Sequence, residues 1–113
     1  MLNLTTLAQF QELWNGHDDR GNPGPKRFVI WFSAAWCGPC QKMDKKALEA
    51  AVHEMSVPLY YCDHVVNPEA ADHYGITQFP TFVMFNPKVE VARRISGDTG
   101  KVCQWIRKVG LTQ

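Results

Sequence analysis

Phe28-Val29-Ile30-Trp31-Phe32-Ser33-Ala34-Ala35-Trp36-Cys37-Gly38-Pro39-Cys40 carries an unbroken apolar run almost directly into two cysteines three residues apart. Phe28 to Phe32 has no polar alternation, which suits a strand covered on both faces in the middle of a sheet, within Arg27 to Ser33. The cysteines lie just past its carboxyl end, where open α/β sheets place their sites. Pro39 has no N–H to lose in a first helical turn, so a helix is expected to begin here. Residues i and i+3 share one helical face, and this brings the two Cα atoms near the ~5.5–6 Å that an unstrained disulfide requires. At a helix start, unpaired N–H groups and the positive end of the dipole favour a thiolate. Cys37 is therefore the expected nucleophile. Cys40, one turn further in and better shielded, is the expected resolving thiol. Gly38 lets another backbone approach closely.

Outward from this centre, the apolar positions Met43, Ala47, Leu48, Ala51, Val52 and Met55 recur every three or four residues, predicting one amphipathic helix from Pro39 to about Met55. Val57 to Cys62 reads as a second long strand. Asn67-Pro68 starts a short helix and Gly75 ends it. Thr81 to Phe85 and Val89 to Ile95 form an antiparallel hairpin across Asn86-Pro87-Lys88, and a last helix begins near Thr99, burying Val102, Trp105 or Ile106, and Val109. Before the central strand, Leu2 to Leu4 is a short strand, and Thr5 or Thr6 caps a helix with Leu7, Phe10 and Trp14 on its apolar side. Gly16 to Pro25, rich in glycine and proline, reads as an exposed loop. The order β-α-β-α-β-α-β-β-α predicts an α/β layer fold, with a central mixed sheet flanked by helices. The 113 residues, 45% of them hydrophobic, suffice for a single domain covering 1–113.

Twelve Lys and Arg against eleven Asp and Glu leave a formal charge of +1, so the bulk electrostatics that draw proteins to nucleic acid are absent. No run approaches the ~20 apolar residues of a membrane span, and the first residues lack a basic start, a long apolar stretch and a small-residue cleavage site. With Met1 as the natural start, the expected location is cytoplasmic.

A zinc site is the competing reading of Cys37 and Cys40, but His17, His53, His64, His73, Cys62 and Cys103 are too scattered to complete four ligands, and no metal is expected. Cys62-Asp63-His64 has the composition of a nucleophile with its base. Adjacent strand residues point to opposite faces, however, so Cys62 is read as a core residue. Cys103 is read as packed too. Lys42, Lys45 and Lys46, with Asp44 and Glu49 between them, read as a solvated helix face.

Taken together, Trp36-Cys37-Gly38-Pro39-Cys40, Tyr74-Gly75-Ile76 followed by Phe79-Pro80-Thr81, and Ile95-Ser96-Gly97 resemble the thioredoxin family across nearly the whole chain. The resemblance implies the thioredoxin fold and a cis peptide before Pro80, facing the dithiol. It also implies that the backbone of Phe79 holds an extended substrate segment, with Trp36, Gly38, Pro39 and Gly97 completing an apolar rim, a mode akin to strand addition. Typical members have a buried aspartate six residues before the first cysteine, paired with a lysine on the next strand; here those positions hold Trp31 and Tyr61. Without that carboxylate Cys40 must lose its proton to water or another base, and slower resolution is expected. Lys45 stands where members often have a helix proline, which predicts a straighter helix, and Gln41 replaces a frequent basic residue.

The expected function is that of a protein dithiol-disulfide oxidoreductase that reduces disulfide-containing protein substrates, monomeric and without a cofactor of its own. Since the chain lacks a nucleotide-binding glycine motif, its electrons would come from a partner, in the family a flavin-containing, NADPH-dependent reductase of the thioredoxin-reductase type. Two alternatives remain: a binding subunit with dispensable thiols, and an oxidant or isomerase of an oxidising compartment, which needs a less negative potential.

Overall fold

The computed structural model describes residues 1–18 and 20–111. In chain order these form β1 (Leu2–Asn3), α1 (Leu7–Trp14), β2 (Phe28–Ser33), α2 (Gly38–Gln41), α3 (Lys45–Glu54), β3 (Leu59–Asp63), α4 (Pro68–His73), β4 (Thr81–Asn86), β5 (Val89–Ile95) and α5 (Thr99–Gly110). The sheet runs β1-β3-β2-β4-β5. The first three strands are parallel, while β4 is antiparallel to both β2 and β5.

All six residues of β2 are buried, as the unbroken apolar run requires of a strand with neighbours on both edges and helices on both faces. Its alternate side chains enter two cores. Phe28, Ile30 and Phe32 pack with Phe10, Leu13 and Ala70 of α1 and α4, and Val29 and Trp31 with Leu48, Val52, Val102 and Ile106 of α3 and α5. Ser33, on the second of these faces, is fully buried and receives a hydrogen bond from the Tyr61 hydroxyl at 3.2 Å.

Most capping signals act as their chemistry dictates. Thr6 closes a capping box with Gln9, Asn67 accepts the Ala70 N–H ahead of Pro68, and Gly75 leaves α4 at a φ of +75°. Helix α1 buries Leu13 as well as Phe10, whereas Leu7 and Trp14 are half-buried. In α5, Val102, Cys103 and Ile106 are buried, with Trp105 and Val109 at the margin.

The single helix expected from Pro39 to Met55 is two helices. Asp44 interrupts it: its carboxylate accepts the Ala47 N–H at 3.1 Å and starts α3, while its own N–H donates to Thr99 Oγ1 at 3.0 Å. Met43 nevertheless stays in the core, so the apolar spacing runs through a break that the backbone makes for capping. The straight helix inferred from Lys45 is therefore absent. Lys42, Lys45 and Lys46 are exposed as expected, and Lys45 also lies over the Tyr61 ring, 5.5 Å from its centroid. Strand β3 begins two residues later than expected and extends to Asp63, which pairs with Ser33.

The loop from Gly16 to Pro25, outside Asp19, is more ordered than its composition suggests. The Asp18 carboxylate accepts the N–H groups of Arg20 and Asn22, and His17 bridges to Pro23. A Cβ on Gly24 would sit 2.8 Å from the His17 carbonyl, so only glycine fits there.

Candidate active site

Beyond β2 the chain turns at Ala34, whose carbonyl accepts the Cys37 N–H at 3.0 Å and the Gln41 side-chain amide, also at 3.0 Å. Gln41 thus ties α2 back to the strand end. Asp63 Oδ1 accepts the N–H of Ala35 at 3.1 Å and that of Val65 at 2.9 Å, clamping the approach to the cysteines against the β3–α4 turn. Cys62 and Asp63 do point to opposite faces: the thiol enters the core and the carboxylate reaches the loop.

Cys37 and Cys40 form a disulfide with a Cα–Cα separation of 5.3 Å. Cys37 is the N-cap of α2, and the Cys40 N–H points at its Sγ from 3.3 Å. Because α2 has only four residues, no long-helix dipole stands behind this sulfur; the local donor acts instead. Cys40 is 1% exposed and Cys37 6%. Among the described residues Cys40 Sγ has no hydrogen bond to a carboxylate or imidazole. Trp31 and Tyr61 are register partners on β2 and β3, their rings 5.0 Å apart and edge-on, so aromatic packing fills the position where the family resemblance implied an acid and a lysine.

The Phe79-Pro80 peptide is cis, and the Phe79 carbonyl oxygen lies 3.7 Å from Cys37 Sγ. Trp36, 65% exposed, meets the Phe79 ring edge-on at 5.6 Å. Across the dithiol, a Cβ built on Gly97 would be 3.0 Å from Pro39 Cβ, so the β5–α5 turn sits directly against the Gly38-Pro39 turn, with open space over Gly38. The eight residues singled out in the sequence thus meet at one end of the sheet. Asp63, Gln41 and His64, whose ring faces Phe79, were not among them, and only the adjacency of Asp63 and His64 to a strand end hinted at them.

Cys62 and Cys103 are buried and free. Burial, reinforced by the Asp63 charge, pushes the Cys62 thiol up to about 12 from 9.0. Folding therefore holds a proton that the unfolded chain releases above pH 9. The corresponding stability is complete below pH 9 and falls as pH rises toward 12, by about 1.4 kcal/mol per unit once the unfolded thiol is ionised. Urea midpoints measured from pH 8 to 10.5 should fall more steeply for the parent than for Cys62→Val, and parallel curves would contradict this.

The sequence matches the thioredoxin family profile over residues 10–108. The chain belongs to the thioredoxin family. It is similar to a thioredoxin from the sponge Geodia cydonium, 35% identical over 94 residues, which cover 83% of each chain. A thioredoxin from Oryza sativa subsp. japonica is 34% identical over 91 residues, and the match takes in 80% of this chain but only 63% of the rice protein. The X-ray structure of Fasciola hepatica thioredoxin superposes with a TM-score of 0.75 at 31% identity, covering 96% of this chain and 98% of the other. The mixed sheet with helices on both faces is the thioredoxin fold, and the chain is a protein disulfide oxidoreductase. Thioredoxins act on disulfide substrates, usually with a thioredoxin reductase. No helix among the described residues is long and apolar enough to cross a membrane.

Proposed function

We propose that this member of the thioredoxin family is a reductant of protein disulfides, with Cys37 as nucleophile and Cys40 as resolving thiol. The observation that carries the assignment is the asymmetry of the pair: Cys37 Sγ receives the Cys40 N–H and borders Phe79, whereas Cys40 is enclosed. A donor aimed at Cys37 stabilises its thiolate. That thiolate attacks one sulfur of the partner disulfide, and the other partner sulfur leaves as a thiolate and takes up a proton. Cys40, on losing its proton, attacks Cys37 Sγ and releases the second partner thiol. Two electrons and two protons pass to the partner, leaving the Cys37–Cys40 disulfide.

Phe79 and the cis Pro80 receive an extended partner segment, and Trp36, Gly38, Pro39 and Gly97 form the rim against which it packs. Electrons return from an NADPH-dependent thioredoxin-reductase-type donor. A reducing, cytoplasm-like compartment and a monomeric state suit this role, and the whole of 1–113 acts as one domain.

The test is coupled turnover: NADPH oxidation by a thioredoxin reductase in the presence of a protein disulfide, with and without the chain. Acceleration by catalytic amounts supports the proposal, and no acceleration refutes it. Because Trp31 replaces the acid, Cys40 gives its proton to water. Release of a mixed disulfide from Cys37 in single turnover should therefore be at least about tenfold slower than in a thioredoxin with the buried carboxylate. It should also speed up as pH rises. Equal rates near neutral pH would show that another base serves Cys40.

A further inference from the structure

His64 is held beside the dithiol with more constraints than a surface side chain needs. Its backbone N–H donates to the Ser33 carbonyl at 2.8 Å, and the next N–H, of Val65, donates to the Asp63 carboxylate that also clamps Ala35. Its Nε2 lies 3.3 Å from Asp72 Oδ1 on α4. A carboxylate only accepts, so Nε2 is the donor in this contact, which orients the ring toward Asp72 at the surface. The ring packs against Phe79 with centroids 5.2 Å apart, and Phe79 in turn meets Trp36. Trp36, Phe79 and His64 therefore form a strip of three rings from the dithiol to the β3–α4 turn, where Val65 and Val66 are exposed. The His64 side chain keeps 29% of its surface open. A ring ordered beforehand loses little freedom when a partner covers it.

We propose that His64 is a specificity-determining residue of the disulfide reaction: its imidazole, together with Phe79, contacts an apolar side chain next to the cysteine under attack. This rests on Cys37 and Phe79 being the docking point proposed above. The strip is continuous with that point, since the carbonyl of Phe79 borders Cys37 Sγ while its ring touches His64. Partner disulfides flanked by Leu or Phe are thereby preferred over those flanked by Asp.

The experiment compares kcat/KM for two peptide disulfides, Leu-flanked and Asp-flanked, each divided by kcat/KM for hydroxyethyl disulfide, which is too small to reach the strip. The parent should favour the Leu-flanked peptide. In His64→Ala its normalised value should fall about three- to tenfold, mainly through KM, the size expected for one lost ring contact. His64→Phe should restore it, and Asp72→Ala, which frees the ring, should fall between. An unchanged ratio in His64→Ala, an equal loss with the small disulfide, or a parent preference for the Asp-flanked peptide would overturn the proposal. Failure of the parent to reduce even hydroxyethyl disulfide would instead show that the dithiol is not the reacting group, and His64 would lose its role with it.

Discussion

Cys37→Ser is expected to lower reduction of protein disulfides by at least about a thousandfold, because a serine hydroxyl is not ionised at neutral pH and cannot form a mixed disulfide. Cys40→Ser should fail differently. The Cys37 thiolate, still facing the Phe79 carbonyl at the rim, attacks a partner disulfide, but nothing then resolves the intermediate. A covalent complex should accumulate and dissolve on adding dithiothreitol. Non-reducing electrophoresis after incubation with a protein disulfide separates the cases: a trapped adduct with Cys40→Ser, none with Cys37→Ser. Adducts through Cys37→Ser would reverse the two assignments. A cellular role that survives replacement of both thiols by serine, with disulfide turnover abolished, would place the chain among binding subunits.

Trp31 carries the second large effect, on stability. It is fully buried, stacked on Phe82 at 5.4 Å and edge-on to Tyr61. Trp31→Ala should cost about 3–5 kcal/mol through lost burial and the cavity left behind, a large part of the 5–15 kcal/mol that holds a domain of this size folded. Trp31→Asp, which reinstates the acid common in the family, should be worse still. It leaves the same cavity and buries a carboxylate whose cross-strand neighbour is Tyr61 rather than a lysine. Trp31→Phe should be the mildest of the three, since Trp31 Nε1 is buried without a hydrogen-bond partner among the described residues and its removal sacrifices no bond. Urea denaturation ranks the variants. A Trp31→Asp protein as stable as the parent would mean that the position has polar room that its packing denies.

What was legible in the sequence was local. The continuous apolar strand, the cysteine spacing and the Asn67-Pro68 start of α4 each depend on neighbours within a few residues and formed as expected, as did the hairpin, although β4 takes in Asn86 and leaves only Pro87-Lys88 as the turn. The break at Asp44 was hidden because the apolar positions keep helical spacing across it, and because one of its two fixing hydrogen bonds is donated to Thr99, far along the chain. The clamp from Asp63 to Ala35 and the contact of His64 with Phe79 likewise join segments that only the sheet order brings together. Of the eight residues of the candidate site, Cys37, Gly38, Pro39 and Cys40 were legible in one short motif, whereas Phe79, Pro80 and Gly97 came only through the family resemblance. The side chains that position them were not legible, because a lone Asp or His beside a strand looks the same whether or not a distant loop comes to meet it.

The most direct test of the account is the reduction potential of the Cys37/Cys40 pair, measured by equilibration in dithiothreitol and glutathione buffers of known poise. A reductant in the thioredoxin mould requires a value near about −270 mV. A value between about −180 and −120 mV would contradict the account, marking an oxidant or isomerase and reversing the direction in which electrons flow.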